Sequence, residues 1–351
     1  MNNIQKLFNI DLPIIQAPMA GVQGSALTAA VSNAGGLGSL PCGMLSLEAL
    51  EKELSVLQSS TNKPYNVNFF CHSMPKENSD RELAWRSELG DYFHELGLDS
   101  ESIQVAAPRL PFDHNAADVL EKFQPPVVSF HFGLPSKELL SRVKNWGAAV
   151  ISTATTVDEA RFLETHGADA IIAQGIEAGG HRGNFLSTDM TRQLGLFSLL
   201  PQVIEAVNVP VIAAGGIANA VGVNSALLLG AAGVQIGTAY LLCPEAKTSA
   251  IHRAALASES ACHTAITNLF TGRPARGVVN RVIREKGPMN SSAPAFPNAA
   301  TAMSALRGKA ESLGLNDFSP MWCGQNSGGC LNIPAAELTH LLASVDNKSH
   351  S

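Results

Sequence analysis

Strand-like and helix-like segments alternate along most of this chain, and that alternation constrains its fold more than any other feature. Eight apolar runs have the length and the branched or small residues of strands: PIIQAP (13–18), GLGSL (36–40), YNVNFF (65–70), PVVSFHF (126–132), AAVISTA (148–154), AIIAQG (170–175), PVIAAGG (210–216) and GVQIGTAY (233–240). Most intervals carry a helical pattern, as in SALTAAVSNAG, SKELLSRVKNWG, TVDEARFLETHG and AVGVNSALLLG, several closed by a glycine. Strands buried on both faces read as near-continuous apolar runs, so a parallel sheet with helices outside it is predicted. Eight such units predict closure into a (β/α)8 TIM barrel with a smaller lid or substrate domain. The competing fold is an open doubly wound sheet. It usually has fewer units and a GxGxxG turn near its first strand, which AGGLGSL matches poorly.

Two stretches fall outside the repeat. Residues 73–125 hold a polar helical stretch, NSDRELAWRSELGDYFHELG, followed by Pro-rich loops. Residues 245–351 hold the helical run AKTSAIHRAALASES and then Gly-, Pro- and Asn-rich sequence. Both leave the barrel at the C-terminal ends of strands, where such barrels place their active sites. They are read as a lid over a barrel made of residues 1–72 and 126–244. The final DNKSHS reads as a disordered tail.

A chain of 351 residues, 45% hydrophobic and 15% charged, can bury a large core as a globular protein. Its net charge of −6 and lack of a Lys/Arg cluster argue against nucleic acid as a partner. The N-terminal segment has no long apolar core, and no apolar stretch is long enough to span a bilayer. Six scattered cysteines without a CxxC read as reduced thiols, so a cytoplasmic location away from membranes is expected. The oligomeric state, monomer or homodimer, is left open.

Three of the runs, AIIAQGIEAGGHRG, PVIAAGGIANA and GVQIGTAY, end in glycine-rich corners. Such corners expose backbone N–H groups that can approach an anion closely. The corners at Gly215 and Gly216 and at Gln235, Ile236, Gly237 and Thr238 sit where this architecture commonly binds phosphate, and a helix starting near Asn219 adds its positive end. The plainer alternative is that these glycines only make tight turns. Gln174 and Asn68, at strand ends, offer amides able to pair with a planar heterocycle, although either could instead satisfy loop backbone. His131, ending an apolar strand, reads as a partly desolvated base or as a core histidine with a backbone partner. His181 lies in a glycine loop that would orient a base poorly, and His72 is a third candidate. No HExxH, paired Cys/His spacing, GxSxG or P-loop occurs, so no metal site is expected.

At these residues the chain closely resembles the nitronate monooxygenases, formerly 2-nitropropane dioxygenases, of the bacterial and fungal class I type. The matching segments are PIIQAPMAG, NVNFF with CH after it, VSFHFGLP, AQGIEAGGHRG, AAGGIA and QIGTAYLLCPEA. The resemblance implies FMN in a β/α barrel with a second domain closing over it. By motif, Asn68, Gln174, Gly179, Gly216 and Gln235 to Thr238 would hold FMN, with Gly180 and Gly215 added as neighbouring amides. His131 matches the catalytic histidine. The implied reaction converts alkyl nitronates, such as propionate 3-nitronate, with O₂ to a carbonyl compound and nitrite. The nearest alternative is an FMN-dependent NAD(P)H:quinone or enoyl-thioester reductase on the same barrel. Other readings are a flavin-binding protein without turnover and a phosphosugar-type barrel enzyme, whose usual Lys or paired carboxylates are missing at the strand ends.

Overall fold

A computed structural model describes residues 3–76, 78–101, 103 and 109–344; the DNKSHS tail lies outside them. The strands are β1 (Ile14–Gln16), β2 (Gly38–Pro41), β3 (Tyr65–Phe70), β4 (Val127–His131), β5 (Ala149–Ala154), β6 (Ala170–Gln174), β7 (Gly180–His181), β8 (Val211–Ala214), β9 (Gly233–Ile236), β10 (Thr264–Thr267) and β11 (Ala275–Val278). Eight of them form one parallel sheet in the order β1-β9-β8-β6-β5-β4-β3-β2. A parallel bridge between Ile15 and Leu37 brings its two edges together, closing a (β/α)8 barrel. The eight predicted strands are the eight of the barrel. The run GVQIGTAY shortens to β9, because the chain leaves the sheet at Gly237 and winds into the 3₁₀ turn Thr238–Leu242.

The apolar pattern explains the layers. Every residue of β3 is buried, as are Val127 to Phe130 of β4, since barrel strands face side chains inside and helices outside. The short helix Asn3–Phe8 closes the bottom, where Ile4 and Phe8 pack with Ile15, Leu37, Ile151, Ile172 and Ile212. Gly38 opens β2 directly beneath the helix Ser25–Asn33: a Cβ there would stand 1.9 Å from the Thr28 carbonyl oxygen. Gly38→Ala therefore costs about 3 kcal/mol, the upper range for overpacking against atoms that cannot rotate away. Urea denaturation checks this as a lower midpoint with an unchanged slope.

The segment between β3 and β4 divides in two. The helix His114–Phe123, read from sequence as part of Pro-rich loops, is a barrel helix: Asp113 caps it through the Ala116 N–H at 2.9 Å, and Ala117 and Leu120 pack in one core with Val128 and Leu54. The helices Ser79–Glu88 and Gly90–Glu95 instead leave the barrel. Their Trp85, Leu89, Tyr92 and Phe93 share a separate core with Phe270, Ile283, Met303, Leu306 and Phe318 from the C-terminal segment. The Arg281–Glu95 ion pair joins the same two segments at the surface, where such pairs contribute at most ~1 kcal/mol. Shared apolar burial holds this cap together. The last helix, Ala335–Ala343, returns to the barrel and packs Leu338 and Leu342 into its outer core.

Antiparallel pairing of β10 with β11 and of β11 with β7 makes a small second sheet. Since β7 belongs to the chain leaving β6, this sheet ties the cap to the barrel mouth. Among the described residues no helix is long and apolar enough to cross a membrane.

Candidate active site

The barrel mouth and the cap enclose a cavity of about 300 Å³. Asn68, His131, Gln174, Gly179, Gly180, Gly215, Gly216, Gln235, Ile236, Gly237 and Thr238 all line it. The topology makes this meeting unavoidable, because C-terminal ends of parallel barrel strands open on one face. The corner after β8 needs glycine: Gly215 and Gly216 have φ of +122° and +69°, a left-handed region that other residues rarely enter. Asn219 then caps the helix Ala220–Leu228, accepting from the Gly222 N–H at 2.9 Å.

His131, at the end of β4, is fixed by two contacts. Its Nε2 faces the His181 carbonyl oxygen at 3.2 Å, and its Nδ1 faces the Thr153 hydroxyl at 3.1 Å. A carbonyl only accepts, so Nε2 carries the proton and Nδ1 accepts from Thr153. Burial, reinforced by the Arg273 guanidinium, pushes the imidazolium pKa down to about 3. His131 is therefore neutral through the physiological range. A Cβ at Gly183 would meet the His131 Cε1 at 2.9 Å, so only glycine lets the loop lie over the ring.

His181 is not in a loose loop. It forms β7, paired with Ala275 of β11, and its Nε2 lies 2.9 Å from the Thr271 hydroxyl. Burial holds its pKa well below the ordinary value, with further lowering from Arg109 and His131. His72 and His252 are likewise buried, with pKa values pushed down to about 4, first by burial and then by nearby arginines. His252 lines the cavity, and so do Arg109 and Arg307 from the cap side.

The two amides behave differently. Gln174 donates from Nε2 to the His181 carbonyl at 3.0 Å and accepts from the Gly183 N–H at 2.8 Å. It thus satisfies the loop backbone, while lining the cavity. Asn68 donates to the Ser129 hydroxyl at 2.8 Å and the Ser129 carbonyl at 3.3 Å, both from Nδ2, leaving Oδ1 as its acceptor. Gln235 Oε1 is a buried acceptor without a partner among the described residues.

Arg182 is the residue that sequence reasoning passed over. Fully buried, it donates to the carbonyls of Gly175 at 2.7 Å and Gln174 at 2.8 Å and to Gln193 Oε1, so it locks the end of β6. Burial pulls its pKa down to about 10. The neighbouring Glu177 is committed too: both carboxylate oxygens accept from the Leu196 N–H, at 2.8 and 2.9 Å, at the start of the helix Leu196–Ala206. The sequence signal for Arg182 was its charge opposite Glu177 inside EAGGHRG, a loop whose other residues are small except His181.

The sequence profile of the nitronate monooxygenases matches residues 2–344. The chain belongs to the nitronate monooxygenase family. A nitronate monooxygenase of Pseudomonas aeruginosa is 40% identical over 340 residues, covering 96% of this chain and 97% of that protein. Among solved structures, a nitroalkane oxidase from Streptomyces ansochromogenes superposes with a TM-score of 0.87 at 38% identity, covering 97% of this chain and 96% of that one. FabK from Thermotoga maritima has a TM-score of 0.72 at 28% identity, with 97% and 94% covered. Membership of the nitronate monooxygenases makes this chain an oxidoreductase, and nitronate oxidation is its general activity.

Proposed function

We propose that the cavity binds FMN and that the protein oxidises alkyl nitronates, such as propionate 3-nitronate, with O₂ to a carbonyl compound and nitrite. The observation that carries this reading is one cavity holding three complementary groups. Glycine corners at Gly215, Gly216 and Gly237 offer backbone approach for a phosphate, Gln235 Oε1 offers a buried acceptor, and His131 offers a neutral imidazole. A flavin fits these donors and acceptors. Its ring N–H would satisfy Gln235, whose unmet acceptor otherwise costs roughly 1–3 kcal/mol. When bound, the flavin supplies the electron acceptor that the side chains lack.

The chain's own residues then bind and orient. His131 faces the His181 carbonyl through a long Nε2–H bond, for which a nitronate oxygen competes. Its depressed basicity makes it a weak acceptor for a carbon-bound proton. The substrate is accordingly the preformed anion, with neutral nitroalkanes poor by comparison. Arg273, stacked 3.9 Å from the centre of the Phe132 ring and bonded to the Asn184 carbonyl, adds positive charge beside His131 that favours an anion.

Anaerobic mixing of FMN-loaded protein tests this reading. Flavin absorbance falls on addition of a nitronate and stays unchanged with NADH. Rapid loss with NADH and none with nitronate would assign the protein to the reductases.

A further inference from the structure

The segment Cys323–Cys330 runs from the cap sheet back across both glycine corners. An isolated bridge between Trp322 and Gly277 anchors its start, and the Cys323 N–H bonds the Arg276 carbonyl at 3.3 Å. The Gly324 N–H then donates to the Thr238 hydroxyl at 3.0 Å, the Gln325 N–H to the Glu177 carbonyl at 2.9 Å, and Asn326 Nδ2 to the Gly216 carbonyl at 3.0 Å. The Cys330 thiol reaches the Thr238 carbonyl at 3.1 Å. The fit is tight: a Cβ on Gly324 would meet the Glu177 carbonyl at 2.9 Å, and one on Gly329 would meet the Ala218 carbonyl at 1.9 Å. Gly324 and Asn326 line the cavity alongside Gly216 and Thr238.

We propose that this strap sets the polarity of the phosphate corner, with Gly324 and Asn326 as positioning residues for the FMN phosphate. This rests on the FMN reading above. A hydroxyl has one proton to give. With its oxygen accepting from Gly324, Thr238 keeps that proton free to donate into the cavity. In a trans peptide the carbonyl of Gly216 and the N–H of Ile217 point in opposite directions. Asn326 holds the Gly216 carbonyl toward the strap, so the Ile217 N–H turns the other way. Asn326 cannot flip, because its Oδ1 accepts from the Gly328 N–H at 3.2 Å. Without the strap, a carbonyl acceptor is free to face the anion.

The test is a fluorescence titration of the flavin-free protein with FMN and, separately, with riboflavin, which has the ring but no phosphate. Wild type binds FMN more tightly than riboflavin. Asn326→Ala, an exposed position whose loss leaves the core intact, weakens FMN about tenfold and leaves riboflavin within twofold. Asn326→Asp, with the same shape but a carboxylate beside the corner, weakens FMN further and still spares riboflavin. Equal losses for both flavins, or no loss for FMN, overturn the strap's role while leaving the cofactor reading intact. Wild type that binds neither flavin overturns both.

Discussion

Replacing His131 with asparagine lowers kcat/KM for nitrite release from an alkyl nitronate about a hundredfold, while FMN affinity stays within twofold. A hydrogen bond to a charged group contributes roughly 1.5–3 kcal/mol, and each 1.4 kcal/mol is tenfold in rate. Asparagine can keep the Thr153 contact, because its amide stands where Nδ1 does, but it is too short to span from β4 to the His181 carbonyl and lacks the Nε2–H. The pH profile separates this role from proton removal. With its pKa near 3, His131 has no ionisation between pH 5 and 9, so it shapes no limb of the wild-type profile there. A limb near pH 6.5 that disappears in His131→Asn would show instead that the ring gains or loses a proton during turnover. Nitrite release unchanged in the variant would remove His131 from the mechanism.

The second large effect is on stability in mild acid. His72, His131 and His252 have native pKa values of about 4, 3 and 4, and His181 lies well below the ordinary value, all chiefly through burial. In the unfolded chain each titrates near 6.5. A depressed histidine pKa means the unfolded state binds the proton first, so stability is intact above about pH 6.5 and is lost as pH falls toward 4. Once the unfolded imidazoles are charged, each contributes a slope of up to ~1.4 kcal/mol per pH unit. Four acting together outweigh any single surface ion pair of this protein. The expected result is a urea midpoint that drops steadily from pH 7 to pH 5, before most carboxylates titrate. His252→Gln makes the drop shallower by about one imidazole's share. A midpoint unchanged over that interval would mean these histidines are hydrated in solution.

Local pattern carried the barrel. YNVNFF is the strand Tyr65–Phe70 to the residue: Tyr65, Val67, Phe69 and Phe70 favour a strand, and the buried Asn66 and Asn68 both donate to the Ser129 hydroxyl of the next strand. Asn219 announced its helix because an Asn side chain satisfies an N–H the helix cannot. What local pattern missed was set by distant partners. His181 became a strand only through Ala275–Val278, nearly a hundred residues on, and glycines around it disguised the pairing. Arg182 has no local partner in sequence; its three acceptors, Gly175, Gln174 and Gln193, converge on it only in the folded barrel. The helix His114–Phe123 was hidden behind prolines and follows a detour through the cap, although Asp113 gave a cap signal three residues before Ala116. Candidate site residues were legible because strand ends of a barrel converge by topology. Their partners were not, because hydrogen bonds such as Gln174 to the His181 and Gly183 backbone depend on loop geometry.

Nitrite released under air from propionate 3-nitronate by FMN-loaded protein, with no NADH present, tests the proposed activity most directly. Stoichiometric nitrite with O₂ uptake, far slower when 3-nitropropionate with its nitro-bearing carbon still protonated is supplied, is the expected result. Protein that binds FMN yet releases no nitrite from a panel of nitronates would contradict it.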